Sequence, residues 1–223
     1  MALGIVTKAL AGIFMCIMVG IMAKSAMAGN FTAVLTDDAY ADGLAPNSGY
    51  GRMNYLFASG ATGPAYAYLK FYLGDIPATE QIVGATLNLY CFYGSRRTIN
   101  LYHISDDSWD ELSLKWNNRP DKGLLLDAEY VRYPFSWVHW DLFNGEAWDV
   151  ATDQADGYVS LLISPPYGDI FMFSKEFADG YYEPSLTTTT TTMTAMSTPI
   201  PASCWLLASG LAVLGIPRKI SGI

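Results

Sequence analysis

Between residues 65 and 174 the chain repeatedly alternates apolar with polar or aromatic side chains, in runs too short for helices. Ala67, Leu69, Phe71 and Leu73 fall on one side of Ala65 to Leu73, and Tyr66, Tyr68, Lys70 and Tyr72 on the other. Ala85 to Phe92 sets Leu87, Leu89 and Cys91 against Asn88, Tyr90 and Phe92 in the same way. Thr98 to Ile104, Trp137 to Leu142, Tyr158 to Ser164 and Ile170 to Ser174 are further runs of this kind. A side-chain period of two puts successive residues on opposite faces of a pleated strand. Turn clusters separate the runs: Pro46-Asn47-Ser48-Gly49, Ser59-Gly60, Gly94-Ser95, Asp121-Lys122-Gly123 and Ala178-Asp179-Gly180. Many short strands with frequent turns predict an all-β protein, an antiparallel β-sandwich or jelly roll. Only Phe143 to Thr152 is expected to form a helical turn or two.

Both ends differ in character from this middle. Lys8 precedes an apolar stretch from Ala9 to Met22, and Ala26-Met27-Ala28 has the small-x-small pattern of a signal-peptidase site. Residues 1–28 are therefore expected to be a signal peptide, with the mature chain starting at Gly29. The other end carries Thr198-Pro199-Ile200-Pro201-Ala202-Ser203, an apolar segment from Cys204 to Ile216, and the basic pair Arg218 and Lys219. Pro199 and Pro201 favour an extended approach to the apolar segment. That segment, expected as a helix over 202–216, is short against the roughly 20 residues of a stable membrane span. Arg218 and Lys219 fix its end on the cytoplasmic side by the positive-inside rule. This tripartite tail, residues 199–223, resembles the bacterial PEP-CTERM sorting signal in its V-P-L-P-A-like variant, with Thr198 in place of Val. The resemblance implies transient inner-membrane anchoring, processing by an exosortase, and release to the cell surface or extracellular matrix of a Gram-negative bacterium. A plain tail anchor is the alternative.

The part between the ends carries nine basic and 21 acidic residues, a net charge of −12. Such a surface disfavours nucleic acid and anionic lipid. It leaves neutral sugars and calcium-bridged ligands open. Cys91 is its only cysteine, which excludes an intradomain disulfide and a multi-cysteine zinc site. Thr187 to Thr192 reads both as a linker and, because threonine favours strands, as a strand. A strand starting at Leu186 and fading into the linker reconciles the two. The expected organisation is a domain over 29–190, a Thr/Ser-rich linker over 191–198, and the tail.

The order of motifs adds a family. Asp38-Ala39-Tyr40, Pro46-Asn47-Ser48-Gly49-Tyr50-Gly51, Ile82-Val83-Gly84-Ala85-Thr86-Leu87-Asn88-Leu89-Tyr90, Trp109-Asp110-Glu111, Trp116-Asn117-Asn118-Arg119-Pro120 and Glu183-Pro184-Ser185-Leu186 follow one another along the chain. Over about residues 36–190 this resembles the DNRLRE domain, a secreted carbohydrate-binding β-sandwich module. Ser108 is an extra residue before Trp109, and Glu183 stands where a basic residue is common. The resemblance implies a non-enzymatic module binding extracellular or cell-wall polysaccharide, with alginate-like polymers as typical ligands. A structural matrix or biofilm protein without a glycan ligand is the alternative, with a polysaccharide-degrading enzyme third.

An enzyme is disfavoured by chemistry as well. His103 and His139, the only histidines, both lie in predicted strands, and the paired acids Asp106-Asp107 and Asp110-Glu111 point in different directions along an extended chain. For sugar binding, aromatic faces against pyranose C–H groups and a cation for an acidic polymer are the useful groups. Trp109, Trp116 and Trp140 read as core. Trp137, Tyr93, Tyr68 and the adjacent pair Arg96 and Arg97 are the ligand-binding candidates. Asp106, Asp107, Asp110 and Glu111 offer hard oxygen ligands of the kind calcium takes, and the other reading is that they are solvated loop acids.

Overall fold

The structure is a computed structural model that describes residues 28–145, 147–177 and 180–192. The signal segment and the sorting tail, with its expected helix over 202–216, lie outside the described residues. Among these no helix is long and apolar enough to cross a membrane.

Ten antiparallel strands form one hydrogen-bonded sheet in the order β1-β10-β4-β9-β2-β3-β8-β5-β6, with β7 joined to β4. They are β1 (Ala28–Asp42), β2 (Tyr55–Ser59), β3 (Ala65–Tyr72), β4 (Glu80–Tyr93), β5 (Arg97–Ile104), β6 (Leu125–Val131), β7 (Ser136–Asp141), β8 (Tyr158–Ser164), β9 (Asp169–Phe173) and β10 (Ser185–Thr192). Among the described residues, one short helix, α1 (Val150–Asp156), and a 3-10 turn at Trp116–Asn118 complete the elements. The α1 helix begins later than the helical turn expected from the sequence, because Gly145 and Trp148 lie in the approach to it.

The sheet doubles over because β1 serves both layers. Its first half pairs with β10, from Ala28↔Thr191 to Ala33↔Leu186, and its second half with β3, from Val34↔Tyr72 to Asp42↔Ala65. A bulge between Leu35 and Asp37 marks the crossing, as expected where a strand must bend from one sheet to the next. The alternating apolar residues then meet in one core: Leu87, Leu89 and Cys91 of β4, Met172 of β9, Trp140 of β7 and Leu186 of β10 against Leu69 and Phe71 of β3, Leu101 of β5 and Leu161 of β8. The β-sandwich expected from the alternation is the fold observed.

The threonine run is a strand throughout. β10 lies between β1 and β4, and Thr188 and Thr190 are fully buried. Their hydroxyls are bonded, Thr188 Oγ1 donating to Phe31 O at 3.3 Å and Thr190 Oγ1 to Glu80 Oε2 at 2.8 Å. Pairing continues to Thr192↔Glu80, so Thr191 and Thr192 belong to the sandwich rather than to the expected linker.

The residues between β5 and β6 fold over the outer face of β3. Trp109 and Leu114 pack there with Tyr68, Ala39, Ile104 and Leu162 in a second, smaller core. Trp109 donates to Ser160 Oγ at 2.9 Å, and Trp116 packs at the margin with Arg119 3.6 Å above its ring. Strand β3 is therefore buried on both faces, although its sequence alternates as if one face were wet.

Candidate functional site

The two layers stay open where β6 and β7 form their edges, since each pairs with one neighbour only. The hairpin between them and the β4–β5 turn meet at this opening. The register Arg97↔Val131 across β5 and β6 places the next residues, Arg96 and Arg132, side by side. Two cavities of about 420 and 460 Å³ share Tyr130, Arg132 and Tyr133. Arg96 lines the first, and Trp137, His139 and Glu129 line the second.

Three features distinguish this edge. Tyr130, Tyr133 and Phe135 are all exposed, Phe135 by 71%. Neither Arg96 nor Arg132 enters any of the ion pairs among the described residues, so two cations stand uncompensated on a strongly acidic domain. Thirdly, among the described residues the non-glycine positions with left-handed backbone are Arg96 (φ 53°) and Phe135 (φ 58°), both in the turns that bound the groove. Such strain costs of order 1–3 kcal/mol per residue and concentrates where function requires a particular projection. Gly94, in the same turn as Arg96, has φ 102° and lies against Asp169 O, where a Cβ would come within 2.8 Å.

From Trp137 a chain of ring contacts crosses the adjoining strands. Trp137 meets Tyr90 at 5.5 Å, Tyr90 meets Phe173 at 5.9 Å, Phe173 meets Phe92 at 4.6 Å, and Phe57 meets Phe171 at 4.7 Å. Tyr182 lies 4.2 Å from Tyr90, and Phe177 stacks on Phe173 at 3.9 Å. These half-buried rings form an aromatic floor, with Tyr93 exposed and set edge-on to Phe171.

The expected site residues separate in the structure. Arg96, Trp137 and Tyr93 lie on this edge or the adjoining floor. Arg97 is part of the scaffold, its guanidinium donating to Asp169 O and to Ser95 O at 3.3 Å. Tyr68 is a correction. It is 0% exposed and donates to Pro120 O at 3.1 Å, because the loop after β5 covers the face on which it lies. Arg132, Tyr130, Tyr133 and Phe135 were missed. Only the β5–β6 register, which no local pattern encodes, brings them beside Arg96.

The four acids expected to share calcium also separate. Asp106 accepts from Ser108 Oγ at 2.6 Å and Ser108 N at 2.9 Å, bonds that hold its carboxyl below the usual range. Asp110 caps the following turn through Leu112 N and Ser113 N. Burial raises Asp107. Glu111 turns elsewhere, toward Asp38 of β1 and Glu176 after β9, with a carboxylate oxygen of each within 4.8 Å of the others. Lys175 sits among them, with Nζ bonded to Glu111 and Glu176 and 3.7 Å from Asp38 Oδ1.

Asp38 is 1% exposed and accepts from Lys175 N at 2.8 Å. Burial, chiefly, together with the Glu176 charge, outweighs this bond and the Lys175 charge and pushes its carboxyl up to about 8. Lys175 lies above its ordinary value, because the Glu111 and Glu176 carboxylates outweigh the larger single effect of burial, which pushes it down. For Asp38 the folded state holds the proton more tightly than the unfolded state. Stability is therefore full below about 4 and is lost as pH rises toward about 8. In buffer free of divalent cations, the melting temperature is expected to fall between pH 5 and pH 8, and Asp38→Asn to flatten that slope. An equal slope in the variant refutes the assignment.

Each histidine is held through one ring nitrogen by a neighbouring side chain. His103 Nε2 is 2.8 Å from Asp153 Oδ2, an oxygen that also accepts from Trp148 Nε1 at 2.7 Å. His139 Nδ1 is 2.6 Å from Asn88 Oδ1. Cys91 is buried, and burial pushes its thiol up to about 11.

A β-sandwich that presents uncompensated cations and exposed rings along one open edge has the form of a carbohydrate-binding module. The chain belongs to carbohydrate-binding module family 96, whose model matches residues 30–190. It is also similar to a gellan lyase of a Bacillus species, 29% identical over 127 residues. That similarity covers 52% of this chain and 5% of the lyase.

Proposed function

We propose that this chain is a non-catalytic module that holds an acidic polysaccharide along the open edge between β6 and β7, outside the cell. The observation that carries this reading is the pairing of Arg96 with Arg132, both free of ion pairs, beside exposed rings in a domain of net charge −12. A guanidinium engages a carboxylate with two parallel hydrogen bonds, and aromatic faces accept the C–H surfaces of sugar rings. Tyr130, Tyr133 and Trp137 supply such faces next to the cations. The assignment to DNRLRE-type modules is supported by the anchoring of its most specific motifs, Trp109 on Ser160 and Trp116 under Arg119.

Export through the signal peptide and processing of the tail by an exosortase fit the same reading. It is supported by the position of the sandwich, since its strands run from Ala28 to Thr192 between the two apolar ends. The non-catalytic character is supported by the match to a carbohydrate-binding module family over residues 30–190 and by the small share of the gellan lyase that this chain spans.

Affinity electrophoresis of the purified chain in gels containing alginate, gellan or a neutral glucan tests the proposal. Retardation by the acidic polymers, falling as salt is raised, is the expected result. Passage through all of them unretarded, or loss of polymer viscosity on incubation, overturns it.

A further inference from the structure

We propose that Asp38, Glu111 and Glu176 form a calcium site that ties β1, the loop between β5 and β6, and the segment after β9 to one another. The site is built from residues far apart in the chain, and Glu111 alone belongs to the acidic loop in which calcium was expected from composition. Asp38 Oδ1 and Glu176 Oε2 are both buried without a hydrogen-bond donor. A buried, unpartnered carboxylate oxygen is costly, and two in one cluster call for a cation between them.

The charges present do not supply it. Lys70, the other lysine nearby, is engaged by Asp37 at 3.1 Å, by Trp109 O at 2.5 Å and by the face of the Trp109 ring. With all three carboxylates ionised, they face the single ammonium of Lys175, an excess of two negative charges. One proton satisfies one oxygen, whereas a divalent cation matches the whole excess. All donors are oxygens, which selects a hard ion, and carboxylates drawn from one strand and two loops suit the flexible coordination of calcium better than the strict octahedron of magnesium. The Lys175 side chain reaches the cluster from a partly exposed position, so its flexible stem lets the ammonium withdraw when the ion enters. Such an ion fixes the start of the segment that carries Phe177 onto Phe173.

The test uses the full chain, chelated and then titrated with calcium chloride at neutral pH by calorimetry and thermal melting. A saturable heat with one ion per chain is expected. At about 100-fold excess over the dissociation constant the melting temperature should rise by roughly 5–10 °C. Glu176→Gln and Glu111→Gln should each remove the response, whereas Asp106→Asn should keep it. No heat and no melting shift in the unaltered chain overturns the proposal, whether or not the variants fold. So does an equal response to magnesium, or a response retained in Glu176→Gln and lost in Asp106→Asn.

Discussion

Replacing Arg96 by glycine together with Arg132 by alanine is expected to weaken retention of an acidic polysaccharide by about ten- to a hundredfold. Hydrogen bonds to charged groups contribute about 1.5–3 kcal/mol each. The groove is open to solvent, so screening brings the pair down to about that range in total, and each 1.4 kcal/mol is roughly a tenfold change. Retention of a neutral glucan should change little, because the rings at Tyr130, Tyr133 and Trp137 remain. Stability should stay within about 1 kcal/mol of the parent, since neither arginine enters an ion pair and glycine accepts the left-handed backbone that Arg96 holds at φ 53°. A loss of ligand without loss of stability is the signature of a residue held under strain for its function. Arg97→Ala should behave in the opposite way. It removes donors to Asp169 O and Ser95 O, so it should cost about 1 kcal/mol of stability and leave retention intact. Affinity electrophoresis and urea unfolding of the same samples separate the two outcomes. Equal retention by the double variant and the parent removes this groove from consideration.

The contrast between two adjacent arginines shows what the sequence can carry. Alternation assigns faces correctly wherever one face of a strand is covered and the other wet, as in β4, β7 and β9. It fails for β3, where Tyr68 alternates like an exposed residue and is buried. The cause is tertiary, since the loop containing Trp109 and Leu114 covers the second face. β1 is absent from the alternating runs, because the bulge between Leu35 and Asp37 breaks its period and residues 38–41 are buried on both faces. β2 has only five residues, too few to show a period. The groove was half legible. Arg96 and Trp137 stand out as a cation and a ring in strand-end positions, but Arg132 acquires meaning only through the register of β5 on β6. The carboxylate cluster was less legible still, as its members lie in three separate segments and its key residue, Asp38, is an ordinary strand position until the fold buries it.

Deleting Leu186 to Thr192 is expected to abolish cooperative folding, the largest effect of any change considered. If the threonine run were a linker, its removal would leave the melting transition unchanged. Its place in the sheet argues otherwise. β10 pairs with β1 on one side and with β4 on the other, over six and eight residue positions. Removing it leaves two strands with unpaired backbone donors and acceptors, each costly where water cannot replace the partner. It also uncovers the core at Leu186, Thr188 and Thr190, all fully buried. The first half of β1 then has no neighbour, because its second half alone pairs with β3. Domains of this size are stable by about 5–15 kcal/mol, and the loss of a central strand exceeds that margin. A single change graded against the deletion gives a second reading. Thr188→Lys places an ammonium in the core without a counter-charge and should cost about 3–5 kcal/mol, whereas Thr189→Lys, on the exposed side of the same strand, should cost less than about 1 kcal/mol. Circular dichroism melts of the three variants decide the matter. Equal melting temperatures for Thr188→Lys and Thr189→Lys would mean that the run does not alternate between core and solvent, and β10 would have to be given up as a strand of the sandwich.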